Sequence, residues 1–270
     1  YYYYTDPAGN SVADGGSGSD LIFGEAQGDN HFIGGDNDDP LDEGDLITST
    51  DGDDFIEGGN GNDILFDYLG ADILYGGAGD DYIFGNASVG YVERYVWSIV
   101  TPVTDIIAGV QFDGTNYTFP APDFTGIYLT DYDPKESDNR GDVLLGGAGN
   151  DYILGGRGDD LLDVGSTEDG ASDKNVAQAG LGNDVLSGGA GIDWLMGDGG
   201  DDQLFGGAGD DMLFGDEILS PEGIAGNDYI EGGSGDDKIY GHGGDDILAG
   251  GEGDDEIVGS AGHDLLLGGD

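Results

Sequence analysis

The sequence contains no cysteine, which excludes disulfides and thiolate metal sites, so a fold built from it needs another kind of cross-link. Basic residues are almost as scarce: 6 Lys and Arg stand against 58 Asp and Glu, a formal net charge of −52 at pH 7. Such a chain repels phosphate backbones and anionic surfaces, which sets nucleic acid aside as a partner, and its self-repulsion opposes compaction until counter-ions arrive. No apolar run approaches the roughly 18 residues of a membrane helix, and no basic segment followed by an apolar one opens the sequence, so direct membrane insertion is not expected and an export signal would lie elsewhere. His-Glu-x-x-His, Gly-x-Ser-x-Gly and Gly-Lys-Ser/Thr are all missing, and His31, His242 and His263 sit at variable places that read as surface positions. The chain is therefore read as noncatalytic.

What is present is glycine, 58 residues of it, paired with an acidic excess that is mostly Asp. The two are organised by a nine-residue period. Gly58-Gly59-Asn60-Gly61-Asn62-Asp63-Ile64-Leu65-Phe66 and Gly76-Gly77-Ala78-Gly79-Asp80-Asp81-Tyr82-Ile83-Phe84 share the form Gly-Gly-x-Gly-x-Asp-x-apolar-x. The form returns at Gly146 to Leu154, Gly188 to Met196, Gly206 to Phe214 and repeatedly between Gly232 and Leu267, for about nineteen units with degenerate copies. Its sixth position holds Asp20, Asp54, Asp63, Asp72, Asp81, Asp142, Asp151, Asp160, Asp184, Asp193, Asp202, Asp211, Asp228, Asp237, Asp246, Asp255 and Asp264. Its eighth position holds Ile or Leu in each of these units, as at Ile56, Leu65, Ile83, Leu195 and Leu266. Two residue types at a fixed separation imply an ionic job and a core job.

Glycine at the first, second and fourth positions permits positive φ and close backbone approach, so the turn can aim its carbonyl oxygens at one point. A hard cation suits such a turn: Ca²⁺ takes about six to eight oxygens at roughly 2.3 to 2.6 Å, from carboxylates and carbonyls together. The last three residues form a short strand whose eighth side chain faces opposite to the seventh and ninth. Two turns and two strands close a coil of about 18 residues, which sets each turn beside the next but one. Asp54 is thus expected beside Asp72, Asp63 beside Asp81, Asp193 beside Asp211 and Asp237 beside Asp255. Each carboxylate has two oxygens and can serve ions above and below it, so the seventeen aspartates are the expected Ca²⁺ ligands. On the order of fifteen ions would offset much of the negative charge. A catalytic carboxylate pair occurs once, whereas these pairs recur, which argues for structural ligands over acid–base chemistry.

These Gly-Gly-x-Gly-x-Asp units resemble those of the RTX (repeats-in-toxin) family of secreted Ca²⁺-binding proteins. The resemblance implies an all-β parallel β-roll, a β-solenoid, exported unfolded by a type I secretion system and folding on meeting extracellular Ca²⁺. It also implies an extracellular, secreted or cell-surface location and a modular context, since such repeats accompany toxins, proteases, lipases, epimerases, adhesins and surface-layer proteins.

Departures from the period divide the chain. Residues 1–14 form a segment of open character, beginning with Tyr1-Tyr2-Tyr3-Tyr4, and 15–84 a roll segment with degenerate first repeats, where Asn30 replaces Asp, Asn37 replaces Gly and Pro40 follows an acidic pair. A short break is read at Glu43 to Thr48. Residues 85–139 are an aromatic-rich β insertion, with a hairpin expected across Val110 to Phe119, and 140–163 return to the roll. Loops are expected at 164–178 and 216–222, with roll at 179–215 and 223–270; the last unit stops within a repeat, so a longer parent chain is expected. Seventh and ninth positions should point outward, yet Phe55, Ile64, Phe66, Ile73, Tyr75, Tyr82, Phe84, Trp194, Met196, Phe205, Met212, Phe214 and Tyr240 are large and apolar. Such faces call for a cover: the insertions, another domain or neighbouring copies. The expected role is a calcium-folded module of an adhesion, surface-layer or filament protein, or else the carrier region of a type I-secreted hydrolase or toxin. Its expected partners are Ca²⁺ and, through the apolar faces and residues 85–139, further copies or another domain.

Overall fold

The structure, a computed structural model, describes residues 2–4, 11–24, 29–36, 44–49, 52–67, 69–85, 88–92, 98–99, 111–112, 117–118, 124–125, 127–131, 140–165, 173–216 and 225–270, with backbone strands alone at 2–4 and within 88–131. The described residues form strands and turns without a helix. Two parallel sheets of eleven strands face one another. The first contains Tyr2–Tyr4, Leu21–Gly24, Leu46–Thr48, Ile64–Phe66, Tyr82–Phe84, Tyr152–Arg157, Lys174–Leu181, Ile192–Gly199, Met212–Asp216, Lys238–Gly243 and Glu256–Ala261. The second contains Val12–Ser17, His31–Asp36, Phe55–Asn60, Ile73–Ala78, Val143–Ala148, Leu161–Asp163, Val185–Ala190, Gln203–Ala208, Tyr229–Ser234, Ile247–Glu252 and Leu265–Gly269. Successive strands alternate between sheets, so each rung takes one strand from each. This is a parallel β-roll, as the repeat requires.

The eighth position forms the interior. Ile22, Ile56, Leu65, Leu74, Ile83, Leu144, Ile153, Leu162, Leu186, Leu195, Leu204, Leu213, Ile230, Ile239 and Leu248 are fully buried in one continuous cluster between the sheets. Each contributes on the order of 2 kcal/mol by leaving water. Register holds through every insertion. Leu74 pairs with Leu144 and Ile83 with Ile153 across the longest one, Leu162 with Leu186 across the second, and Leu204 with Ile230 across the third. A single apolar residue inside each short strand fixes that register, because a slip of one would expel the core residue.

Within the insertion the described strands are antiparallel pairs: Ser88–Val92 with Ile127–Asp131, Ser98–Ile99 with Phe124–Thr125, and Gln111–Phe112 with Tyr117–Thr118. The last pair is the expected hairpin; its loop, 113–116, lies outside the described residues, as do Asn37 and Pro40.

Three boundaries differ from the sequence reading. The break read at Glu43 to Thr48 contains a rung of the roll, Leu46–Thr48, with Ile47 in the core between Ile22 and Leu65. The loop read at 164–178 has ended by Lys174, where a strand begins that places Ala177 beside Ile153. The roll also begins before residue 15, since Val12–Ser17 pairs with His31–Asp36 and Tyr2–Tyr4 with Leu21–Gly24. At Leu46–Thr48 and Lys174–Leu181 spacing to the neighbouring units decides the structure although the glycine pair is missing.

The outward positions divide by sheet. On the first sheet, Leu46, Ile64, Phe66, Tyr82, Phe84, Tyr152, Leu154, Val176, Met196, Met212 and Phe214 form a second buried cluster. Phe66 stacks on Phe84 at 4.7 Å between ring centroids, and Tyr82 on Tyr152 at 5.8 Å. On the second sheet the corresponding Ile73, Tyr75, Leu161, Tyr229 and Ile247 are exposed. The apolar outward positions that call for a cover are therefore buried on the first sheet, where parallel in-register strands bring like aromatics into stacking contact, and stand exposed on the second.

Candidate metal centre

The turns that join the sheets carry the ionic residues. Glycine is required there by space and by conformation. Gly77 has φ 118° and Gly79 φ 137°, in the left-handed region, and a Cβ on either would collide with the backbone of the neighbouring turn. Gly58 is needed for a different reason: a Cβ there would strike Asp63 Oδ2 and lie 2.6 Å from the Gly76 carbonyl oxygen. The turn is thereby held open around the sixth-position carboxylate.

Those carboxylates form two ladders, one along each edge. In the first, the Asp54 N–H donates to Asp72 Oδ1 at 2.8 Å, Asp72 to Asp142 at 3.0 Å, Asp142 to Asp160 at 2.8 Å and Asp160 to Asp184 at 2.7 Å. The series continues through Asp202, Asp228, Asp246 and Asp264. In the second, Asp20 donates to Asp45 at 2.7 Å, Asp45 to Asp63 at 2.6 Å, Asp63 to Asp81 at 2.8 Å and Asp81 to Asp151 at 2.9 Å. It resumes at Asp193, Asp211, Asp237 and Asp255. All seventeen sequence-picked aspartates stand in one ladder or the other, and each of the four expected pairs is adjacent.

Three residues in or beside these ladders, Asp45, Asn175 and Asp67, escape the sequence pattern, and a fourth, Asn30, stands where the sequence reads it in place of Asp. Asp45 occupies the rung between Asp20 and Asp63, and Asn175 the one between Asp151 and Asp193, where its side chain accepts from the Asp151 N–H at 2.9 Å and donates to Asp193. Asn30 precedes Asp54, and its side-chain oxygen accepts from the Ser11 N–H at 3.0 Å. Asp67 stands at a first position, where the pattern expects glycine, beside Asp54 and Asp72. Counting back nine residues from Asp54 finds Asp45; no signal in the repeat announces Asp67.

One oxygen of most ladder carboxylates is used by the backbone and the other is not. Among the described residues, Oδ2 of Asp63, Asp72, Asp81, Asp160, Asp184, Asp202, Asp211, Asp228, Asp237, Asp246 and Asp255 is buried without a hydrogen-bond donor. Burial raises eight of these carboxyls from their usual range: Asp160 and Asp237 to about 6, Asp63, Asp72, Asp211 and Asp228 to about 7, Asp184 to about 8 and Asp202 to about 9. Desolvation dominates, and like charges on neighbouring rungs add to it, as Asp184 and Asp228 do at Asp202. Rows of buried anionic oxygens, each beside glycine carbonyls and without donors, fit a hard divalent cation on chemical grounds: oxygen ligands alone, mixed carboxylate and carbonyl, in excess negative charge.

The family model of the RTX calcium-binding nonapeptide repeat matches residues 8–30, 41–66, 58–88, 137–171, 169–191, 187–217, 222–257 and 249–270. The chain belongs to this family and is a calcium-binding RTX repeat module. No similar protein is found among curated sequences.

Proposed function

We propose that this chain is a calcium-folded structural module of an extracellular protein, working in adhesion, a surface layer or filament assembly. The sixth-position aspartates, with Asp45, hold its ions, on the order of fifteen if each pair of neighbouring turns takes one. The observation that carries the calcium-folding part is the row of buried, donorless Oδ2 atoms in both ladders. Bound Ca²⁺ supplies positive charge where the fold concentrates negative charge, so metal binding and folding are one event. The roll contributes the rest: glycine backbones that admit the carboxylates, and an Ile/Leu interior that fixes the spacing between turns.

Assembly is supported by the seventh-position column of the second sheet. It runs in register through Val12, His31, Phe55, Ile73, Val143, Leu161, Val185, Gln203, Tyr229, Ile247 and Leu265, apolar except at His31 and Gln203, and Ile73 at 40 %, Leu161 at 41 % and Ile247 at 41 % are exposed on it. Exposed apolar surface gathered along one face marks an interface. A second reading, the carrier region of a type I-secreted hydrolase or toxin whose catalytic domain lies outside these residues, draws on the first sheet: its aromatic outer face is already buried, which leaves one apolar face for assembly. Light scattering of the Ca²⁺-loaded chain separates the two. Growth in particle size that Ile73→Ser and Ile247→Ser suppress supports assembly; a monomer at all protein concentrations supports the carrier.

A further inference from the structure

Two adjacent turns, 49–54 and 67–72, break the repeat where the rest of their column is small. The first position of the unit is glycine at Gly85 and Gly155, where a Cβ would lie 2.6 Å from Asp142 Oδ2 and from Asp160 Oδ2. In the two exceptional turns that position is Ser49 and Asp67. Ser49 Oγ bonds Asp54 Oδ2, and Asn30 Nδ2 donates to Ser49 Oγ at 3.1 Å and to Asp54 Oδ1 at 2.9 Å. Neutral donors therefore close one side of Asp54.

The other side is anionic. Asp54, Asp67 and Asp72 each bring a carboxylate oxygen within 4.8 Å of the other two, at exposures of 3, 0 and 1 %. Asp72 Oδ1 accepts from the Asp54 N–H, while its Oδ2 is buried with no donor. Arg140, whose charge is felt at Asp72, is tied to Asp53 at the exposed rim. Three carboxylates gathered out of water must be neutralised, by protons in the metal-free chain or by a cation, and an all-oxygen set of this charge suits Ca²⁺.

We propose that Asp54, Asp67 and Asp72 form a Ca²⁺ site of a different kind from those of the regular turns, built on three side-chain carboxylates, and that it holds the tightest ion on the roll. The inference rests on the calcium-folding reading. Affinity for Ca²⁺ rises with the number of charged ligands and the rigidity of the site, and this site has a third carboxylate where the turns on either side have Ser49 and Gly85. It fills first as Ca²⁺ rises, so the rungs around residues 46–75 form first.

Calcium binding to the full chain in competition with a chelator of known affinity tests this. One ion is expected about tenfold or more tighter than the remainder, lost in both Asp67→Asn and Asp67→Gly while the weaker ions stay. The glycine variant restores the regular turn, so an unchanged circular dichroism spectrum at saturating Ca²⁺ shows that it folds. Asp202→Asn, on an ordinary turn of the same ladder, should keep the tight ion. A single class of sites in the unmodified chain, or a tight ion that survives Asp67→Gly, overturns the proposal. A chain that takes up no calcium at all sinks the calcium-folding reading along with it.

Discussion

The two outer faces of the roll are built by the same positions of the same repeat, yet one is a second core and the other is open. On the first sheet the seventh and ninth positions hold stacked, buried Phe66, Tyr82, Phe84, Tyr152 and Phe214; on the second they hold exposed Ile73, Tyr75, Leu161 and Tyr229 interspersed with Glu57, Asp163 and Glu231. The cover on the first sheet is itself limited, since Lys238 and Glu256 are exposed at its last two strands. A nonapeptide thus specifies its interior and its turns, and it does not specify which outer face becomes dry. The ladders at the two edges show the opposite behaviour, being nearly identical, because their environment is written inside the repeat.

Removal of calcium should have the largest effect, and it should erase the difference between the faces. With excess chelator the chain loses its β-signal and the near-ultraviolet signal of the stacked aromatics together, because the Ile/Leu interior alone does not offset chain entropy and the charge of −52. Loss of one signal without the other would separate the faces from the ladders. Next in size is a cut in the covered face: Phe84→Ala should destabilise the calcium-loaded roll by about 3 to 5 kcal/mol, read from denaturant unfolding. A smaller shift applies to the ladder. Asp246→Ala removes a carboxylate between Asp228 and Asp264 and should raise the Ca²⁺ midpoint of folding; an unmoved midpoint would refute the pairing of turns.

Acidity should act on the metal-free chain in a defined direction. Asp160 and Asp237 are raised to about 6, Asp63, Asp72, Asp211 and Asp228 to about 7, Asp184 to about 8 and Asp202 to about 9 in the fold, against about 3.9 when unfolded. Their contribution is fully present below about pH 4 and is lost as pH rises through 6 to 9. The metal-free chain should therefore gain β-structure on acidification, whereas Ca²⁺ binding weakens at low pH because protons compete for the same oxygens. The smallest effect belongs to the open face, where Ile247→Ser should change stability by less than about 0.5 kcal/mol. Parity between Ile247→Ser and Phe84→Ala would break the comparison of the faces.

Much of this was legible in the sequence, and the exceptions have physical causes. The eighth-position core and the seventeen ladder aspartates follow from periodicity, because glycine, Asp and Ile/Leu have separate jobs that spacing alone reveals. Asp45 and Asn175 were missed because their turns lack the glycine pair, though strand spacing still carries the chain through both rungs. Asp67 was missed because the pattern treats its position as glycine, a demand of sterics that the local turn relaxes. Alternation along a strand placed Phe84 and Tyr82 outward, and nothing in a nine-residue unit states what lies over them.

The central claim, that calcium and the fold are one equilibrium, is tested most directly by far-ultraviolet circular dichroism of the chain titrated with Ca²⁺, and with Mg²⁺ in parallel. A cooperative rise of β-structure with Ca²⁺ and little response to Mg²⁺, which demands a tighter octahedral shell, is the predicted result. A chain equally structured with and without Ca²⁺ at neutral pH would contradict it.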